Sequence, residues 1–357
     1  MKQAAAIILA LGSGLAHAQS AVTIYGIADA AFVGERGGSG GNLNKITSGA
    51  AAASRIGFRG EESLGGDLSA FFTLETGAKI DTGEVDASGT IFNRQALVGL
   101  RGGFGSVALG RQYTPYYTTL VNVVDPFRTG YAGSSKNLFP GWGTNIRTSN
   151  TLTWASPRLH GVDMELAYSA GEQSSIRAGR QFGGAVGYTS GPLTVRLAWN
   201  GKNTDTVGTA TVPAVSRSMG RNTLLGANYD FGPLKLHLGY GIDKGDNSTP
   251  LGNANNPYGG VRPTPSTDGR DMLAGLSAPL GRGKLMFSVM RKDDRTAFDQ
   301  DASSWGIAYM YSLSKRTGLY AAYGHIHNRN GAGYTVANNT EAGTGNTGYN
   351  LGLQQTF

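Results

Sequence analysis

Apolar and polar residues alternate along this chain in runs of about ten, and the last eleven residues show the pattern almost unbroken. Tyr349, Leu351, Leu353 and Phe357 share one face, interrupted by Gln355, while Asn350, Gly352, Gln354 and Thr356 share the other. Successive side chains of a strand point to opposite faces, so this run predicts a strand between an apolar and a polar environment. Lipid and water satisfy the pattern, as do a soluble core and water. Residues 22–32 repeat it: Val22, Ile24, Gly26, Ala28, Ala30 and Phe32 lie opposite Thr23, Tyr25, Ile27 and Asp29. In residues 66–75, Leu68, Ala70, Phe72 and Leu74 oppose Ser69, Phe71, Thr73 and Glu75.

Two kinds of interruption separate these runs. Short turns rich in Gly, Pro, Ser and basic residues fall at 65–66, 102–105, 156–161, 190–192, 231–233, 279–283 and 314–317. Between them lie longer polar stretches at 37–53, 79–89, 113–147, 171–179, 202–220, 244–269, 293–301 and 330–346. Seven turns and eight loops join sixteen strands, with both chain ends on the turn side. The prediction is an all-β fold, a 16-stranded antiparallel transmembrane β-barrel whose closure removes the exposed edges of an open sheet. Residues 113–147 form the longest stretch without alternation. Long structureless loops are uncommon unless functional.

The start of the chain turns the choice of environment toward lipid. Residues 1–18 carry a basic Lys2, an apolar run and Ala16-His17-Ala18, the form of a cleaved signal peptide. The expected division is therefore 1–18 signal and 19–357 a single barrel domain. Nothing later reaches the roughly 20 apolar residues of a spanning helix. No Cys is present, so stability does not rest on disulfides. Glycine numbers 56, about twice the ordinary share, without a collagen period, and marks turns, bends and close backbone contacts. Tyr168, Tyr188, Trp199, Tyr229, Tyr240, Trp305, Tyr309, Tyr311, Tyr320 and Tyr323 stand near predicted strand ends, either as interfacial girdles or because aromatics favour strands.

Sequence motifs give little chemistry of the catalytic kind. There is no Gly-x-Ser-x-Gly elbow and no His-Glu-x-x-His. The segment Gly281-Arg282-Gly283-Lys284-Leu285 lacks the spacing and hydroxyl of a phosphate loop. His325 and His327 share a strand face without a carboxylate nearby, and Asp243 to Asn247 reads as a solvated loop with only the composition of a calcium site. The chain is read as a non-enzyme with no cofactor and no metal. Basic residues are scattered, which argues against nucleic acid as a partner. With Lys2 removed from the 31 Lys and Arg, 30 stand against 24 Asp and Glu, a net +6 that speaks to association and not to fold.

Six segments taken in order carry a resemblance. They are Ser20-Ala21-Val22-Thr23-Ile24-Tyr25-Gly26, Ser54-Arg55-Ile56-Gly57-Phe58-Arg59-Gly60-Glu61-Glu62, Leu109-Gly110-Arg111-Gln112, Asn150-Thr151-Leu152 with Ser156-Pro157, Leu313-Ser314-Lys315-Arg316-Thr317, and the terminal Phe357. The mature chain resembles the Gram-negative trimeric general porins of the β-proteobacterial type. The resemblance implies a homotrimer in the outer membrane, an inward third loop that constricts a water-filled channel, and a Phe357 read by the barrel assembly machinery. Outer-membrane lipid and lipopolysaccharide are the surrounding partners, and small hydrophilic solutes and ions the cargo. It also implies that Arg55, Arg94 and Arg147 form the basic side of the constriction, opposed by Glu75 and Asp125. Strand parity puts Arg59 in the lumen with Arg55. Parity with Val107 and Leu109 points Arg111 away from it unless a bulge intervenes. Asp29, inward by parity, equally suits a structural place beside a lumen cation. A cationic constriction lowers the cost for anions, so a mild anion preference is expected. The rival expectations are an adhesin or receptor acting through its loops and a lipid-active barrel enzyme.

Overall fold

The computed structural model describes residues 21–38, 40–140, 145–217, 219–245 and 268–357. The signal segment, Gly141-Trp142-Gly143 and most of the loop at 244–269 lie outside the described residues. Chain order runs β1 (Ala21–Gly38), β2 (Gly41–Ser48), β3 (Arg55–Gly65), β4 (Leu68–Gly77), β5 (Gln95–Gly102), β6 (Gly105–Tyr113), a short helical turn α1 (Pro115–Thr119), β7 (Arg147–Ala155), β8 (Val162–Ser169) and β9 (Gln181–Ser190). It continues through β10 (Leu193–Lys202), β11 (Gly220–Asp230), β12 (Lys235–Lys244), β13 (Asp268–Leu280), β14 (Gly283–Asp294), β15 (Ala302–Ser312), β16 (Thr317–Asn328) and β17 (Thr347–Thr356). Apart from β2 and β3, each strand is antiparallel to its sequence neighbour, and the sheet closes where β1 meets β17, from Ile27 opposite Thr356 to Arg36 opposite Thr347.

These seventeen strand segments make sixteen staves. One edge of β1 pairs with β2 along its upper half and with β3 along residues 21–27, so β2 and β3 lie end to end as two pieces of one stave. The stretch 37–53 is therefore not a long loop, as its polar composition predicts. Gly41–Ser48 is paired strand, and only residues 49–54 leave the sheet. All six are small, Gly49-Ala50-Ala51-Ala52-Ala53-Ser54, and Ala50, Ala51 and Ala53 are buried. Asp29 holds this break: its carboxylate accepts the backbone N–H groups of Ala51 (3.5 Å) and Ala52 (3.3 Å), the Tyr320 hydroxyl (2.7 Å) and the Gln354 amide (3.0 Å). Its partners are neutral donors and not a lumen cation.

The barrel is apolar outside and polar inside. Val22, Ile24, Leu109, Leu351 and Leu353 stand exposed on the outer face, whereas Asn200, Asn222 and Asn350 are fully buried inside. Phe357 completes the closure: its backbone exchanges both hydrogen bonds with Gly26, and its ring lies where a side chain on residue 26 would go. Of the aromatics near strand ends, Tyr168, Tyr188, Trp199, Tyr229, Trp305 and Tyr323 are exposed, and Tyr320 is not. It points inward to Asp29, over Gly352, which leaves room for the ring.

Candidate functional site

The described residues of the segment 114–146 leave the barrel wall and cross the lumen. Thr114 starts it, its hydroxyl accepting the Tyr117 N–H (3.1 Å) with Pro115 at the first helical position, and α1 runs on as a wider helical turn to Val124. Asp125 then folds the loop on itself. Its carboxylate accepts the N–H groups of Phe127 (2.9 Å), Thr129 (3.0 Å) and Ser135 (3.0 Å) and the Ser135 hydroxyl (2.7 Å). Burial pushes its pKa up against these bonds, which favour the ionised form. Asp125 is 2% exposed, so it does not oppose the arginines as the resemblance implies; it braces the loop that carries it.

Glycines seat the loop against the wall. A Cβ on Gly183 would meet Pro115; on Gly226 or Gly239, Val124; on Gly275, Pro126; and on Gly306 or Gly324, Gly133, each closer than 3.0 Å. These positions step across β9, β11, β12, β13, β15 and β16, so the loop lies along about half the circumference. Loop 329–346 also folds inward and fastens to it. Asn137 donates to the carbonyls of Thr335 (2.6 Å) and Ala342 (2.7 Å), Lys136 donates to the Asn339 carbonyl, and Ala50 in the stave break accepts from both Tyr131 (2.7 Å) and Asn339 (3.1 Å).

Behind the crossing loop runs a chain of buried polar contacts. Gln181 donates to Asn200, Asn200 to Asn145, Asn145 to Asn222 and Asn222 to Asp243. Lys292 Nζ then sits 2.7 Å from both Asp243 and Asp271, with all three side chains fully buried. Asp243 thus ends β12 in an ion pair, contrary to its reading as part of a solvated loop.

A cavity of about 840 Å³ opens in the lumen beside the crossing loop. Arg55, Arg94 and Arg147 line it from the wall, as do Lys79, Asp81 and Asp86 from the loop after β4. Tyr117, Val121, Arg128 and Lys136 come from the crossing loop, and Glu341 from the inward loop 329–346. Six cations face three carboxylates there.

Tyr113 organises the arginines. Its hydroxyl accepts from Arg94 Nη2 and Arg147 Nη2, both at 2.9 Å, and the Arg147 guanidinium lies 4.5 Å above its ring. Glu75 is buried behind them. It accepts from Arg94 Nε (2.7 Å) and the Tyr25 hydroxyl (3.0 Å) and lies 3.9 Å from Arg55, so it anchors the basic side instead of facing it. Arg59 is four residues nearer the turn end, over the Tyr25 ring at 5.4 Å, and does not line the cavity. The bulge that could redirect Arg111 is present: the register slips between Gly110 and Gln112, and Gly110 adopts φ +128°. Even so, Arg111 bonds the Asn93 carbonyl (2.6 Å) and Ser149 (2.9 Å) and is not a lining residue.

The sequence pattern of the Gram-negative porin family matches residues 4–332. The chain is 32% identical over 384 residues to outer membrane porin protein 32 of Delftia acidovorans, covering 100% of this chain and 99% of that one. The chain belongs to the Gram-negative porin family. It is also 30% identical over 387 residues to an outer membrane porin of Bordetella pertussis, with 96% and 97% of the two chains covered. Among solved structures it is similar to the anion-selective porin from Comamonas acidovorans, with a TM-score of 0.74 and 28% identity over 95% of this chain and 100% of that one. An outer membrane protein of Vibrio cholerae in its trimer form, at 16% identity and a TM-score of 0.67, shares the fold. This porin is an outer-membrane channel of a Gram-negative bacterium.

Several residues of this porin's aperture are missing from the sequence-based set: Lys79, Asp81, Asp86, Tyr113, Arg128, Lys136 and Glu341. Arg128 and Lys136 carried one signal, their place in the longest loop. Glu341 carried none, because nothing local indicates that its loop folds inward. Lys136 is nearly buried, and desolvation lowers its pKa to about 7, with Glu341 acting in the opposite direction and Arg147 adding to the fall.

Proposed function

We propose that this porin is a passive channel for small hydrophilic solutes and ions with a mild anion preference, set by Arg55, Arg94 and Arg147. One observation carries the reading: the cavity is lined by six basic side chains against three carboxylates, and Glu75, which pairs with Arg94, is buried behind the arginines. In a narrow, poorly screened passage that imbalance lowers the cost for an anion and raises it for a cation. The Comamonas relative, anion-selective by its description, is consistent with it. The channel works by diffusion, with no catalytic step and no cofactor. The reversal potential of the pure protein in a planar bilayer under a potassium chloride gradient tests this. Chloride preference is expected, and potassium preference in the wild type overturns it.

The working unit is a homotrimer. Export removes residues 1–18 and leaves 19–357 as one barrel domain, and the assembly machinery reads Phe357. Lipopolysaccharide contacts the loop end of β11–β14. There Arg221, Lys244, Arg270 and Arg291 stand exposed just beyond an apolar belt that includes Leu225, Ile242, Met272 and Val289, a sequence of charge and grease that suits phosphorylated lipid. Asp268 and Asp301 partly offset Lys244 and Arg291.

A further inference from the structure

The crossing loop presents no carboxylate to the arginines. Its one acid, Asp125, is buried in its own turn, and the acids that line the cavity come from elsewhere, Asp81 and Asp86 from the loop after β4 and Glu341 from 329–346. Besides Phe127, Arg128, Tyr131 and Lys136, the loop presents Tyr117, Thr118, Val121 and Asn122. Tyr117 stacks on Tyr113 with ring centroids 5.5 Å apart and planes at 14°, and Arg147 lies over Tyr113, so an aromatic shelf continues directly into the guanidinium cluster.

We infer that the aperture favours organic anions that carry an apolar or aromatic body over equally charged hydrophilic ones. The inference rests on the anion-preferring reading and names the solute class within it. The carboxylate of such a solute meets Arg94 and Arg147, whose heads are fixed on Tyr113, while its body lies along Tyr117 and Val121. A hydrophilic anion of the same charge gains the first contact and not the second. Removing the area of one aromatic ring partly from water corresponds to about a fivefold gain in apparent binding. The cavity, at about 840 Å³, holds a benzoate-sized solute with water beside it.

The test is block of the chloride current through single channels by benzoate and by glycolate, the smaller and more hydrophilic of the two. Size alone would give glycolate the easier passage. Half-block at about fivefold lower benzoate concentration is expected. The Tyr117→Ser/Val121→Thr double variant should bring benzoate to the glycolate level, and Tyr117→Phe, which keeps the ring, should retain the preference. Equal block by the two anions in the wild type overturns the inference, as does a benzoate preference that survives the double variant. A wild-type reversal potential that is cation-selective, measured on the same channels, overturns the anion-channel reading and the inference with it. Folding of each variant is checked by the heat-dependent shift of its gel mobility.

Discussion

The two sides of this barrel use the same inward strand positions for opposite ends. From β3 to β7 the inward positions at loop-end height carry long charged or aromatic side chains, Arg55, Tyr113 and Arg147, with Arg94 in the approach to β5, and they reach into open lumen. From β9 to β16 the corresponding ground is glycine, at 183, 226, 239, 275, 306 and 324, and the lumen beside it is filled by the crossing loop. A strand scaffold whose hydrogen bonds are all backbone tolerates either choice. The difference shows how a single wall makes both an aperture and the seat for the piece that narrows it.

The seat gives the largest expected effects. Replacing Lys292 by Met leaves Asp243 and Asp271 buried without their cation, and this should cost about 3–5 kcal/mol, read as a lower midpoint in denaturant unfolding of the detergent-solubilised protein. Gly306→Val places a side chain against the Gly133 backbone. It should cost about 1–3 kcal/mol and push the loop into the lumen, so single-channel conductance should fall. An unchanged conductance would mean that the glycines do not position the loop.

On the aperture side the effects are electrostatic and smaller. Arg147→Gln should reduce the anion-to-cation permeability ratio by about twofold to threefold, the size of one charge acting across several ångströms of partly screened space. Arg59→Gln should change it far less, because Arg59 lies outside the cavity lining. Similar shifts for the two would erase the distinction between the constriction and the rest of the lumen.

The smallest effect is a pH dependence. With its pKa near 7, Lys136 is charged below that value and neutral above it, so anion preference should be stronger at pH 6 than at pH 8, and Lys136→Met should flatten the difference. The sign for stability runs the other way. The folded pKa lies below the ordinary lysine value of 10.5, so burial of Lys136 opposes folding most fully below pH 7, and this opposition fades as pH rises toward 10.5.

Alternation made the strands legible, because lipid outside and water inside impose period two on every stave, and the tight turns were marked by Gly, Pro and Ser. The crossing loop was matched by its position and length to the inward loop that the resemblance implies. The interrupted stave at 49–54 was not legible, since a run of small residues between polar ones looks like a loop whether or not strand resumes on either side. Arg55, Arg94 and Arg147 were placed by resemblance. Asp125 and Glu75 were assigned the wrong side because their direction depends on hydrogen bonds made in the folded state, to the loop backbone and to Arg94. Contacts such as Asn137 with Thr335, or Tyr320 with Asp29, join residues about two to three hundred positions apart and leave no trace in local pattern.

The glycine seat also sets an order of events. Two of its members, Gly306 and Gly324, lie on β15 and β16, and Asn350 on β17 accepts from the backbone of Ala132. Until those late staves are in place, the crossing loop has only part of the surface it rests on. Joining β17 to β1 therefore closes the cylinder and finishes its constriction in one step, and a barrel caught before that step would be a wide leak rather than a filter.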